Sequence, residues 1–119
     1  MYKFRGKVRR HNQRGRKLGF PTANVNLTKS TPEGVYISYA KIKISTYPAL
    51  TFIGKAKTFN EKVFQAEVYI LDFKQNIYGK WISVKLLRKI RGNKKFKFVE
   101  ELVAQMKKDE AETRKYFGA

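Results

Sequence analysis

The chain has 119 residues, enough for one hydrophobic core, and no cysteine, which excludes disulfides, thiolate metal sites and a thiol nucleophile. Its 27 Lys and Arg against 9 Asp and Glu give a formal net charge of +18, which favours anionic partners such as nucleic acid or a polyphosphate nucleotide. It has no apolar run long enough for a membrane helix and no signal-peptide pattern at its N-terminus. We therefore expect a cytoplasmic monomer without a membrane partner, folded as a single domain over residues 1–119.

Alternation of apolar and polar residues predicts β-strands over most of the chain. The predicted strands cover residues 2–8, 25–27, 35–44, 49–53, 63–73 and 81–90. Pro48 is expected to separate the third strand from the fourth, since proline interrupts strand pairing. Gly and Pro between the other runs predict turns.

The C-terminal segment, from Phe98 onward, changes to a helical period. Phe98, Leu102, Met106, Thr113 and Phe117 fall on one face of a helix that Gly118 would end. No helical segment separates the predicted strands. The pattern therefore predicts a mainly all-β fold, a six-stranded antiparallel barrel over about residues 1–92 with a C-terminal helix over about 97–117.

The richest short motif lies at residues 14–24. Its glycines and cations suit close approach of a phosphate, and Thr22 and Asn24 offer two oxygens, two residues apart, for a hard cation such as Mg²⁺. A basic surface loop followed by a turn that begins at Pro21 explains the same residues equally well. The lone His11 in this region is typical of a surface residue.

Carboxylates are scarce, which narrows the search for a catalytic acid or base. The five acidic residues of the predicted helix are expected on a solvated face: Glu100, Glu101, Asp109, Glu110 and Glu112. Glu67 instead lies within a predicted strand, on the face of Val63 and Tyr69, and we expect it half-buried on the inner or rim side of the barrel. It could accept a hydroxyl proton during phosphoryl transfer. A cross-strand salt bridge with a lysine is the interpretation that the pattern alone favours.

Cations alternate with Phe96 and Phe98 after Arg91. Such a segment could stack on bases or on a flat heterocycle, or it could be a basic linker into the helix. The chain has neither a P-loop nor a protein-kinase signature, so a nucleotide site would be of another type.

These motifs together resemble the riboflavin kinase (flavokinase) family over roughly residues 4–114. The most specific is Leu18-Gly-Phe-Pro-Thr-Ala-Asn24, and the others follow in order: Arg5-Gly-Lys-Val8, Arg14-Gly-Arg, Gly34-Val-Tyr36, Ile53-Gly54, Glu67-Val-Tyr-Ile-Leu-Asp-Phe73, Tyr78-Gly79, Arg91, Phe96 and Leu102-Val-Ala-Gln105. In bacteria this module commonly forms the C-terminal half of a bifunctional FAD synthetase. We expect the adenylyltransferase half to be absent from this chain, which starts at Met1.

The resemblance implies a Greek-key barrel that transfers the ATP γ-phosphate to the ribityl 5′-hydroxyl of riboflavin, giving FMN and ADP with Mg²⁺. It implies Glu67 as the catalytic base and Thr22 and Asn24 as contacts of Mg²⁺. The implied nucleotide contacts are Gly15, Arg16, Lys17, Thr22, Asn24, Ile70, Asp72 and Tyr78, and the implied flavin contacts are Arg91, Lys94 and Phe96.

Four positions depart from the family pattern: His11, Lys57, Tyr69 and Gly92. None of them removes an implied catalytic group, so they bear on affinity and loop mobility. Two alternatives stay open at this point: a basic barrel that binds nucleic acid through non-specific charge, and a regulator that binds flavin without turnover.

Overall fold

The computed structural model describes residues 2–9, 19, 21–58 and 61–118. In this part of the chain six antiparallel strands precede one helix: β1 (Lys3–Arg9), β2 (Ala23–Asn26), β3 (Gly34–Ile42), β4 (Ser45–Thr58), β5 (Glu61–Ile70), β6 (Trp81–Arg91) and α1 (Val99–Tyr116). The strands close into a barrel in the order β1-β2-β5-β4-β3-β6, and closure leaves no unpaired sheet edge. Because β6 returns to pair with β3 after the β3-β4-β5 run, the topology is a Greek key. The predicted barrel with a C-terminal helix is confirmed, and no helix among the described residues is long and apolar enough to cross a membrane.

The prediction that Pro48 separates two strands is wrong. β3 and β4 form a hairpin whose turn is Lys43-Ile44, with Lys43 in the left-handed region at φ 57°, and β4 runs through Pro48. Proline is tolerated there because β4 begins its pairing with β5 only at Ala49, opposite Ile70. The Pro48 carbonyl accepts a hydrogen bond from the Leu71 N–H at 3.0 Å, so the side of Pro48 that lacks a donor faces the end of β5.

The barrel core is built from small and β-branched side chains. Its fully enclosed members include Val25, Ala40, Ala49 and Ala66, each with no exposed surface. Two buried hydroxyls in β3 and β4, Ser38 and Thr51, lie 2.7 Å apart and satisfy each other. Gly6 is required by close approach, since a Cβ at that position would overlap the Val25 side chain.

Helix α1 covers the outer face of the barrel at β4. Ile37 and Leu50 point away from the barrel core, yet each is 1% exposed, because a second apolar layer forms on that side. Met106 and Thr113 are the buried residues of the predicted helical stripe, whereas Phe98, expected in the same stripe, is 54% exposed. It precedes the first helical residue with an extended backbone, and so it does not share the packed face.

Candidate active site

One row of paired residues passes through all six strands on the outer face of the barrel. Asn24 of β2 lies opposite Glu67 of β5, and Glu67 lies opposite Phe52 of β4. In barrel order the row is Arg9, Asn24, Glu67, Phe52, Val35 and Arg91. Directly opposed residues have Cβ atoms about 4.5–5.5 Å apart. The register therefore places the predicted metal contact Asn24 beside the predicted base Glu67, although 43 positions separate their residue numbers.

Glu67 faces outward, which corrects its predicted place on the inner or rim side. Its neighbours Ala66 and Val68 belong to the barrel core, so strand alternation directs Glu67 to the opposite face. There it is half-buried, because the outer face of β5 is itself covered on one side by α1 and the segment before it. The expected degree of burial is confirmed and the expected face is wrong.

Glu67 lines a cavity of about 360 Å³, here called the flap cavity, a volume typical of small-molecule sites. It lies between the barrel and the flap segment, residues 92–98, which joins β6 to α1. The three predicted flavin contacts all line it. Its walls are Thr22, Val35, Phe52, Ile53, Gly54, Lys55, Gln65, Glu67, Arg91, Asn93, Lys94, Phe96, Leu102 and Met106.

A second cavity of about 180 Å³, the barrel-end cavity, opens where β2 begins and β5 ends. Four predicted nucleotide contacts line it: Thr22, Asn24, Ile70 and Tyr78. Arg9 and Lys74 add positive charge to the same walls. Thr22 lines both cavities, so the two spaces adjoin at this residue.

Among the described residues, one predicted nucleotide contact, Asp72, is not brought into these walls. Asp72 follows β5 with a left-handed backbone at φ 56°, lines neither cavity, and forms a bidentate ion pair with Arg114 of α1 at 2.8 and 3.0 Å. Hydrogen bonds from Arg114 hold the pKa of the Asp72 carboxyl below its usual value. Gly15, Arg16, Lys17 and His11 lie outside the described residues. Their proposed contacts, like that of Asp72, stay predictions.

An ion pair between β6 and α1 holds Arg91, a wall residue of the flap cavity, in place. Arg91 donates from Nε to Asp109 Oδ1 at 3.0 Å and from Nη2 to Asp109 Oδ2 at 2.7 Å. Asp109 is 3% exposed and also accepts a hydrogen bond from Gln105. The expectation that Asp109 lies on a solvated face is therefore wrong. Its position three residues after Met106 and four before Thr113 was a signal for the packed face of the helix.

The flap segment is tethered on its other side by Asn93, which sequence reasoning did not single out. Its side-chain amide donates to the Ile53 carbonyl at 3.0 Å. Gly54 follows at the cavity wall, where an added Cβ would lie 3.7 Å from the Asn93 amide nitrogen. The cavity is thus bounded by a segment that is attached to both β4 and, through Arg91, α1.

Tyr69, one of the departures from the family pattern, contributes to this side of the barrel. Its hydroxyl donates to Glu110 of α1 at 2.9 Å, so Glu110 too is engaged with the barrel. Burial, and then the hydrogen bond to Glu110, raise the pKa of Tyr69 to about 12. The phenol therefore stays a neutral hydrogen-bond donor across the physiological range.

The two predicted metal contacts, Thr22 and Asn24, offer neutral oxygens to a metal ion. Within the described ranges no group of three or more His, Cys, Asp or Glu side chains is placed to hold a metal. Thr22 and Asn24 alternate with the inward-facing Ala23 and line the same barrel-end cavity. Such a pair fits Mg²⁺ held mainly by phosphate oxygens of a nucleotide, since Mg²⁺ is commonly bound through few protein ligands plus substrate phosphates.

Comparison with known proteins identifies the family. The family model described as "Flavokinase: Riboflavin kinase" matches residues 1–117. A bifunctional riboflavin kinase/FMN adenylyltransferase of Bacillus subtilis is 38% identical over 123 residues, covering 98% of this chain and 39% of the relative. The riboflavin kinase of Trypanosoma brucei superimposes with a TM-score of 0.67 at 26% identity, covering 98% of this chain and 79% of that one.

A second similar structure carries a different description. A chain titled a macrolide-efflux protein from Streptococcus pneumoniae matches with a TM-score of 0.87 and 42% identity, covering 94% of this chain and 38% of that one. The chain spans from 18% to 39% of the length of the curated relatives that it matches first. The family model nevertheless covers nearly all of its residues, and several described residues of the motifs that it shares with the family line two adjoining cavities. The chain belongs to the riboflavin kinase family.

Proposed function

We propose that this chain, acting as one domain over residues 1–119, transfers the γ-phosphoryl group of ATP to the ribityl 5′-hydroxyl of riboflavin, giving FMN and ADP. The observation that carries the proposal is the position of Thr22, which borders both cavities. Transfer between two bound substrates requires that their reacting groups meet at one point. The junction at Thr22 provides such a point within reach of both Asn24 and Glu67.

The flap cavity suits the flavin. Phe52, Phe96, Leu102 and Met106 give it apolar walls against which a flat ring system can pack. Arg91 and Lys94 at the same cavity add hydrogen-bond donors for the carbonyl oxygens of the ring. In this arrangement the ribityl chain extends toward Glu67, and the 5′-hydroxyl reaches the junction with the barrel-end cavity.

The barrel-end cavity suits the polyphosphate of ATP. Arg9 and Lys74 can neutralise phosphate charge, and Tyr78, 52% exposed, offers a surface to the nucleoside. Gly15, Arg16 and Lys17 complete this side in our proposal, with Ile70 at the wall and Asp72 beyond it. Thr22 and Asn24 would hold Mg²⁺, which when bound neutralises charge that develops on the transferred phosphoryl group.

Glu67 acts as the general base. Its carboxylate accepts the proton of the 5′-hydroxyl while the hydroxyl oxygen forms the new bond to the γ-phosphorus. The bond between that phosphorus and the oxygen shared with the β-phosphate breaks, and ADP leaves with the bonding electrons. Asn24 lies directly opposite Glu67 in the β2–β5 ladder, so the pairing of these strands fixes the position of the base relative to the phosphate site.

The test is incubation of the purified chain with riboflavin, ATP and MgCl₂, followed by chromatographic separation of the flavins. We expect FMN and ADP in equal amounts, and no FMN when ATP or the metal is left out. Riboflavin binding without FMN under varied nucleotide and metal conditions would contradict the proposal and favour a flavin-binding regulator.

A further inference from the structure

Half of the net positive charge of the chain lies in three neighbouring strands. In the barrel β1 pairs with β6, and β6 pairs with β3. These strands contain nine Lys and Arg and no Asp or Glu: Lys3, Arg5, Lys7, Arg9, Lys41, Lys85, Arg88, Lys89 and Arg91. The proposed phosphoryl transfer engages only Arg9 and Arg91 of this set. Most of the charge on these strands therefore has no role in that reaction.

Part of this charge lines a third cavity, here called the basic groove. With about 550 Å³ it is the largest of the three, and it shares no lining residue with the other two. Phe4, Leu27 and Val84 contribute apolar surface to it. Its charged lining residues are all cations: Lys3, Arg5, Lys29, Lys41 and Lys85. The groove is thus a separate basic surface with some apolar character, which suits an anion.

The strand register places like charges side by side at this groove. Lys3 lies directly opposite Lys85 in the β1–β6 ladder, and like charges in that position are destabilising. This pairing opposes folding, and no carboxylate among the groove-lining residues compensates for it. Such a feature is typical of a functional surface. A polyanion in the groove would remove the repulsion. Lys3 and Arg5 alternate along β1, roughly 7 Å apart, a spacing that an extended polyanion can follow.

Exposed aromatic rings stand next to the same cations. The Arg5 guanidinium lies 4.8 Å from the ring centroid of Trp81, which is 53% exposed. Tyr39 lines the groove, lies opposite Lys85 in the β3–β6 ladder and is 38% exposed. Barrel proteins bind single-stranded nucleic acid by combining two features. Cations follow the phosphate backbone, and aromatic side chains between them stack on the bases.

We propose that the basic groove and the adjoining Trp81 form a binding site for single-stranded nucleic acid. The cations contact backbone phosphates, and unpaired bases stack on Trp81 and Tyr39. A duplex satisfies the phosphate contacts but keeps its base faces stacked internally, so it cannot use the exposed rings. The site is distinct from the phosphotransfer cavities, and its test does not depend on riboflavin kinase activity.

The test compares two variants of equal charge by fluorescence anisotropy with a labelled twelve-nucleotide oligothymidylate over a range of salt concentrations. The groove variant carries Lys3→Gln, Lys41→Gln and Lys85→Gln. The control variant carries Lys107→Gln, Lys108→Gln and Lys115→Gln, all exposed on α1 and outside the three cavities. For the groove variant we expect affinity at low salt to fall by at least about 10-fold and the log–log salt slope to flatten by roughly 2, since each lost single-strand phosphate contact removes about 0.7.

The control variant should bind nearly as the unchanged chain does, and both variants should keep the wild-type rate of FMN formation. Equal losses in the two variants would overturn the proposal, because binding would then follow net charge alone. Equal or tighter binding of a twelve-base-pair duplex would overturn it as well.

Stacking has its own readout, because Trp81 is the single tryptophan of the chain. We expect saturating oligothymidylate to quench its fluorescence, and Trp81→Leu to weaken binding with little change in the salt slope. An unchanged emission spectrum on saturation would remove Trp81 from the site.

Discussion

Thr22 is the residue on which the two halves of the proposed reaction depend. It precedes β2, lines both cavities and shares the barrel-end cavity with Asn24. A hydroxyl at such a junction can contact the metal–nucleotide complex without touching the flavin ring. Its removal should therefore affect one substrate much more than the other.

We predict that Thr22→Ala raises KM for MgATP by roughly 10- to 150-fold, the equivalent of about 1.5–3 kcal/mol for a hydrogen bond to a charged group. The KM for riboflavin should change little. Steady-state kinetics at varied ATP and Mg²⁺ measures both values. Thr22→Ser keeps the hydroxyl and should recover most of the affinity, while Thr28→Ala, on an exposed threonine, should have no effect. An unchanged Mg²⁺ and ATP dependence in Thr22→Ala would remove Thr22 from the nucleotide site.

Individual residues also mark where sequence reasoning stopped. Alternation correctly put Glu67 and Tyr69 on one face of β5, but that face was expected on the inner or rim side, whereas the core side carries Ala66 and Val68. The reason is physical: α1 covers part of the outer surface, so Leu50 is buried although it points away from the barrel core. Strands covered on both faces lose the contrast that identifies the core side. Asp109 was misplaced because its partner Arg91 is 18 residues away in the chain.

At the scale of elements, the contact between α1 and β6 determines how the flap segment starts. Arg91 is the last residue of β6, and its pairing with the buried Asp109 fixes the point from which residues 92–98 leave the barrel. The Asn93 tether to Ile53 fixes the next position. Asp109 thus acts as a positioning residue for the flap cavity, since it reaches that cavity only through Arg91.

We predict that Asp109→Ala lowers the free energy of unfolding by roughly 3 kcal/mol, the low end for removal of one partner from a buried pair, because Arg91 keeps some contact with water. It should also raise KM for riboflavin more than it changes KM for ATP. Urea unfolding and steady-state kinetics measure the two effects. A destabilised variant with an unchanged preference between the substrates would show a purely structural role.

The matched control is Asp72→Ala, which breaks the exposed pair with Arg114. The pKa of Asp72 is lowered in the folded state, so its contribution to stability is present above about pH 4 and is lost as pH falls through the folded pKa. The difference in Tm between this variant and the unchanged chain should be small at pH 7 and vanish in acid. A Tm loss as large as that of Asp109→Ala would contradict the distinction between the two pairs.

The strands and the helix could be predicted from the sequence where neighbouring residues determine them. The strands and the helix appear as periodic runs, and the predicted segments overlap all the observed ones. The β3–β4 turn at Lys43-Ile44 was not predicted because it contains none of the usual turn residues. Pro48 instead indicated a strand boundary that does not exist. Tertiary pairing made proline acceptable at a position where the local rule predicts a break.

At the scale of the whole molecule, the site is a product of barrel closure. Asn24, Glu67 and Arg91 come from three strands that no sequence periodicity aligns, and the ladder register brings them into one row. The family resemblance implied the roles of these three residues, and the strand pairing then showed how they are arranged. The charge of +18, by contrast, was visible in composition, but half of it could be placed on neighbouring strands only after the strand order was known.

We propose that phosphoryl transfer occurs where the two cavities adjoin, with Glu67 as the base. The most direct measurement is the rate of FMN formation by Glu67→Gln at saturating riboflavin and MgATP, beside Glu100→Gln on the exposed start of α1. We predict that Glu67→Gln lowers the rate by at least ~100-fold, the lower end for a general base, while riboflavin affinity stays nearly unchanged and Glu100→Gln keeps the full rate. A rate for Glu67→Gln within a few-fold of the unchanged chain would contradict the account.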